Sequence, residues 1–79
     1  MKQAVDLIFP KTLVREPLIC QMSREIPVSF NIRRAKVNET VGEIVLELEG
    51  TESDLANAVR WLSAKGIKVK PVTHDTVEG

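Results

Sequence analysis

The sequence predicts an α+β sandwich, a four-stranded antiparallel sheet with two helices on one face, in the order β-α-β-β-α-β. Three observations carry this reading. Four segments place apolar residues at every second position, the period of a half-buried strand. Two others place them on one stripe at roughly 100° per residue, the period of an amphipathic helix. Proline and glycine fall at the joints between the segments. With 79 residues there is room for one domain, its core spanning about residues 4–72, with a polar tail at 73–79 expected to fray.

The first strand is Ala4 to Phe9, where Val5, Leu7 and Phe9 alternate with Asp6, and Pro10 ends it because proline has no N–H for a ladder. Lys11 to Arg15 is a loop. Pro17 suits a first helical turn, and Leu18, Ile19, Met22 and Ile26 form the stripe of a helix that Pro27 stops. A second strand begins with Val28, Phe30 and Ile32. Its phase then breaks, since the next apolar residues, Ala35 and Val37, are one position out of step. One extra residue near Arg33-Arg34, a β-bulge, restores it.

After a turn at Asn38-Glu39-Thr40, a third strand alternates Ile44, Leu46 and Leu48 with Glu43, Glu47 and Glu49, with Val45 the one apolar residue on the acidic face. Gly50 closes it. Thr51 and Asp54 have the spacing of a helix capping box. Leu55, Ala58, Val59 and Leu62 make the second helical stripe, and Gly66 suits the left-handed residue beyond its end. Ile67 and Val69 alternate with Lys68 and Lys70 as a last strand before Pro71. This order is the ferredoxin-like arrangement, with the first and third strands central and the second and fourth at the edges. The uncovered face then carries Asp6, Ile8, Asn31, Arg33, Glu43, Val45, Glu47, Lys68 and Lys70.

Composition removes several function classes. Eleven Lys+Arg balance eleven Asp+Glu, so there is no basic surplus for nucleic acid or for an anionic membrane surface. No apolar run approaches the roughly 20 residues of a membrane span, and the N-terminus lacks the apolar region of a signal peptide. The expectation is a cytoplasmic protein. One cysteine permits neither an internal disulfide nor a thiolate metal site, and no cofactor or metal is expected. An RNA-recognition sheet needs aromatics on its central strands, where this chain has Asp6, Ile8, Glu43, Val45 and Glu47. A soft-metal carrier needs paired thiols after the first strand, and an acylphosphatase-like enzyme needs a glycine-rich anion loop there. Pro10-Lys11-Thr12-Leu13-Val14 supplies neither.

The remaining candidates weigh as follows. Cys20 lies roughly 150° from the centre of its helical stripe and is expected at the surface, with no histidine near it in sequence to activate it. His74, the only histidine, falls in the tail. Trp61 sits at the rim of the second stripe and is expected to pack over a sheet edge. No nucleophile–base pair can be assembled, so no catalytic residue is assigned and a non-enzymatic module is expected. Asn31, Arg33 and Arg34 are the most suggestive cluster. An amide offers a donor and an acceptor, and a guanidinium can meet a carboxylate bidentately. Equally, charges on an edge strand guard against aggregation.

The segment Ser29-Phe30-Asn31-Ile32-Arg33-Arg34-Ala35-Lys36-Val37 resembles the signature strand of the NIL domain family, named for an Asn-Ile-Leu-like stretch that here reads Asn31-Ile32-Arg33. Phe9-Pro10, Glu16-Pro17-Leu18-Ile19, Gly42 to Gly50, Ala58-Val59-Arg60-Trp61-Leu62 and Gly66-Ile67-Lys68-Val69 fit the family's order and spacing, so the likeness runs from about Val5 to Val72. The resemblance implies an ACT-like domain that dimerises and binds methionine at the C-terminus of the ATPase subunit of bacterial methionine importers, regulating transport. It also implies a second setting, in front of iron–sulfur cluster motifs in ferredoxin-like proteins linked to sulfur amino-acid metabolism. Carried over, Asn31 matches the asparagine that contacts methionine, with Ile32 and Arg33 following it on the strand. The expected partners are a second copy, methionine or a related amino acid, and an ABC-transporter or iron–sulfur protein. The alternative is a protein-interaction module of the NIL-ferredoxin type without a small ligand. There is no P-loop, and no Cys-x-x-Cys-x-x-Cys run to hold a cluster.

Overall fold

The computed structural model describes residues 1–14 and 16–72. Its elements are β1 (Lys2–Phe9), a short 3-10 turn (Lys11–Leu13), α1 (Leu18–Glu25), β2 (Ser29–Val37), β3 (Gly42–Glu49), α2 (Glu52–Ala64) and β4 (Lys68–Pro71). The sheet order is β2-β3-β1-β4, and every neighbouring pair is antiparallel. The expected central and edge strands are therefore the observed ones. His74 lies outside the described residues.

Register follows from the alternation. Val5 faces Leu46 and Leu7 faces Ile44 across β1 and β3, while Phe30 faces Leu48 across β2 and β3. These side chains meet Leu18 and Met22 of α1 and Leu55, Ala58 and Leu62 of α2 in one core. Leu7, Met22, Leu46, Leu48, Ala58 and Leu62 are wholly shut from solvent. That burial is the main force holding so small a domain together.

The bulge falls where the phase break put it. Ile32 pairs with Leu46 and Arg34 with Val45, which leaves Arg33 as the extra residue. Both helix ends follow the sequence signals. Thr51 Oγ1 accepts from Asp54 N–H at 3.0 Å, and Gly66 has φ +100°, a left-handed value that a Cβ would strain. The 3-10 turn stands where a plain loop was expected. β4 begins one residue later than the alternation suggested and includes Pro71, which pairs with Val5. Proline is tolerated there because β4 is an edge.

One expectation changes. Val45 was expected as bare apolar surface on the helix-free face, but it is only 5% exposed. Asp6 and Arg34 stand beside it in the ladder, with Glu43 and Glu47 along its own strand. Long charged side chains cover apolar surface with their stems. The bare apolar surface lies instead on and beside β2, at Ile32, Val37 and Val41, each about half exposed. Length explains this. An eight-residue helix spans about 12 Å, whereas a nine-residue strand spans about 30 Å, so α1 cannot roof β2 from end to end. Trp61, expected to pack over a sheet edge, is partly buried against the core, and its Nε1 also donates to Glu25 Oε1 at 3.1 Å, tying α2 to α1, with Lys65 Nζ 4.9 Å from its ring centroid.

Candidate functional site

Asn31 and Arg33 lie on the helix-free face at the start of β2, while Ile32 points to the other side of the sheet. Asn31 stands opposite Glu47 in the ladder, and Arg33 Nη1 meets Glu47 Oε2 at 3.5 Å. A shallow depression of about 260 Å³ is lined here by Lys2, Ser29, Phe30, Asn31, Glu47 and Glu49. The structure thus gathers Asn31, Arg33 and Glu47 into one polar patch and sets Ile32 apart from it. The patch offers an amide, a guanidinium and two carboxylates, which suits the charged end of an amino acid. Phe30 is its one apolar lining residue.

Further along the same face, Asp6 on β1 stands opposite Val45 on β3 and Lys70 on β4. Its Oδ1 is buried without a hydrogen-bond partner. Burial first, then a hydrogen bond and repulsion from Glu43, hold the Asp6 carboxyl above its ordinary value, with Lys70 and Arg34 pulling the other way.

The other sheet face carries an apolar groove that periodicity did not reveal. It measures about 130 Å³ and is lined chiefly by Phe9, Val14, Leu18, Val37 and Ile44, with Glu16 and Cys20 among its polar neighbours. Cys20 is exposed, as expected. The groove exists because α1 is short and because the β1–α1 connection folds Val14 against the end of β3. A Cβ on Gly42 would lie 3.5 Å from Phe9 Cβ and 3.8 Å from Val14 Cγ2. The one signal that could have found it was the mismatch of helix and strand lengths. Among the described residues, no group of three or more His, Cys, Asp or Glu is placed to hold a metal ion, and no helix is long and apolar enough to cross a membrane.

Fold and surfaces together describe a small α+β module with one helix-free sheet face and one long bare edge strand. The NIL domain family model matches residues 3–71, and this chain belongs to that family. The methionine import ATP-binding protein MetN of Bacillus subtilis is 30% identical over 74 residues, covering 89% of this chain and 22% of that protein. The MetN protein of Helicobacter hepaticus is 31% identical over 68 residues, covering 81% of this chain and 19% of that protein. The chain therefore spans about a fifth of the length of these relatives. Among solved structures, the C-terminal domain of an ABC transporter ATP-binding protein from Enterococcus faecalis superposes with a TM-score of 0.79 at 18% identity, covering 92% of this chain and 86% of that one. A de novo designed protein, Ferredog-Diesel, superposes with a TM-score of 0.57 at 6% identity, covering 92% and 85%. Both likenesses bear on the fold alone.

Proposed function

We propose that this chain is a non-catalytic regulatory module of an ABC-type amino-acid importer, that it works as a dimer, and that it senses methionine or a related sulfur amino acid. The observation that carries this reading is NIL family membership over residues 3–71, joined to the likeness to ATP-binding subunits named for methionine import. In this reading Asn31 and Arg33 hold the charged end of the amino acid, Ile32 completes the strand on which they stand, and the module acts in the cytoplasm beside the importer's ATPase.

The dimer contact runs along β2. This nine-residue strand stands at the edge of the sheet among the described residues, turns backbone N–H and C=O groups outward, and carries Ile32 and Val37, both 55% exposed. An antiparallel match of β2 to its counterpart in a second copy satisfies those N–H and C=O groups and covers that apolar surface. The same bare edge favours a second reading, a protein-interaction module without a small ligand, in which another protein's strand takes that place.

Thermal unfolding with an amino-acid panel separates the two. A ligand at ~100 times its dissociation constant adds about 2.7 kcal/mol, a rise of order 10 °C for a domain of this size. Methionine is expected to raise the midpoint and Asn31→Ala to remove the rise. An unchanged midpoint with millimolar methionine, homocysteine and related compounds overturns the sensor reading and leaves the interaction module.

A further inference from the structure

Two neighbouring rows of residues cross the helix-free face of the sheet from edge to edge. One reads Lys36, Glu43, Ile8, Lys68 and the next Arg34, Val45, Asp6, Lys70. Each row has a cation at both edges, with a carboxyl and an apolar side chain between them. Three strand spacings set the two columns of cations about 14 Å apart, and two residues along a strand set the rows about 7 Å apart.

All four basic side chains are exposed, and none of them closes an ion pair among the described residues. The central carboxyls do not quench them. Asp6 meets Glu43 through a hydrogen bond and repulsion, while Lys70 and Arg34 act on it only at longer range. Four cations against two carboxyls make a local basic surplus on a chain whose net charge is +0. A depression of about 420 Å³ opens beside Arg34, Lys36, Glu43 and Val45. Half-buried Ile8 stands next to it at the centre of the face.

The shape selects among acidic partners. A polyanion such as a nucleic acid or an anionic membrane would lay its phosphates over Glu43 and Asp6 as well as over the cations. An α-helix with its side chains is about 10–12 Å across, which fits between the two columns. A sheet face with no layer upon it is where a helix packs. The helix that fits has an apolar stripe toward Ile8, acidic side chains on both flanks, and an amide or lysine where the stripe passes Glu43.

We infer that the helix-free face docks an amphipathic helix of a partner protein, acidic on both flanks, with Arg34 and Lys36 holding one flank and Lys68 and Lys70 the other. The helix lies along the strands. The inference does not rest on ligand binding at Asn31, which stands one row further along, opposite Glu47.

The test is an NMR titration with two synthetic peptides of about 18 residues, long enough to be helical in water. Both carry a leucine stripe; one has glutamates on both flanks and the other lysines. The glutamate-flanked peptide is expected to bind saturably, to weaken as salt rises, and to shift the Ile8 methyl signals while leaving those of Ile32, on the opposite side of the sheet, unchanged. The double variant Lys36→Gln, Lys68→Gln removes one cation from each column and is expected to weaken binding about fivefold, the worth of two exposed ion pairs. Lys11→Gln, in the β1–α1 connection, is expected to change nothing. Absence of binding overturns the inference. So does equal affinity for the lysine-flanked peptide, unchanged affinity in the double variant, or a response at Ile32 in place of Ile8. Tighter binding of oligo(dT) or of phosphatidylserine vesicles than of the glutamate-flanked peptide also overturns it, and marks the face as a polyanion surface. Should the double variant fail to fold, Lys70→Gln decides: a weakening of about twofold is expected, and unchanged affinity is equally fatal.

Discussion

Asp6 is placed at a cost. It stands on a central strand with a buried, unpartnered oxygen, and burial followed by Glu43 raises its carboxyl above the ordinary 3.8. A carboxyl whose folded pKa is raised binds its proton more tightly in the folded chain. Its stabilising contribution is full below the unfolded value and is lost as pH climbs through the folded one. Stability is therefore expected to fall, through this group, as pH rises from about that ordinary value through the raised one. Asp6→Asn should flatten that part of the pH–stability profile and raise the melting temperature at neutral pH. A profile that keeps its shape in the variant rules out Asp6 as the source. The alternation of Val5, Leu7 and Phe9 is enough to turn Asp6 outward. That Glu43 stands close by depends on the β1–β3 register, in which Glu43 faces Ile8, and single-strand periodicity carries no register. The same limit hid the Trp61–Glu25 bond, whose partners are 36 residues apart.

At the scale of elements, the helix ends are the most local features and were the most legible. Thr51 and Asp54 encode their own contact by spacing, and Gly66 encodes a conformation. Thr51→Ala should cost about 1 kcal/mol, the usual worth of an N-cap. Gly66→Ala should cost about 1 kcal/mol or more, since φ is positive there. Chemical denaturation of each variant checks both, and values within error of zero would mean these ends do not define α2. The β2 bulge was also legible, because a phase break between Ile32 and Ala35 has few other causes. Coverage was not. Whether a helix roofs a strand depends on relative length and crossing, so the groove beside Val37 and the bareness of Ile32 emerge only in three dimensions. The screening of Val45 by charged neighbours is of the same kind, because it involves three strands at once.

For the whole molecule, the β-α-β-β-α-β order followed from the pattern because each element is short and closed by proline, glycine or a turn. The candidate site was only half legible. Asn31 and Arg33 share a face, as their spacing and the bulge imply, but Ile32 does not join them. A domain of this size with one bare nine-residue edge has a physical motive to associate. Light scattering is expected to give twice the 8.8 kDa chain mass, and Ile32→Lys, which puts a charge beside that edge, is expected to return it to a single chain. A monomer at all working concentrations would remove the β2 contact. The central claim is that a small α+β module binds a sulfur amino acid through its second strand. The measurement that tests it most directly is a calorimetric titration of methionine into the wild-type chain and into Asn31→Ala. Saturable binding by the first and none by the second is the predicted result; no heat with either, or equal binding by both, would contradict it.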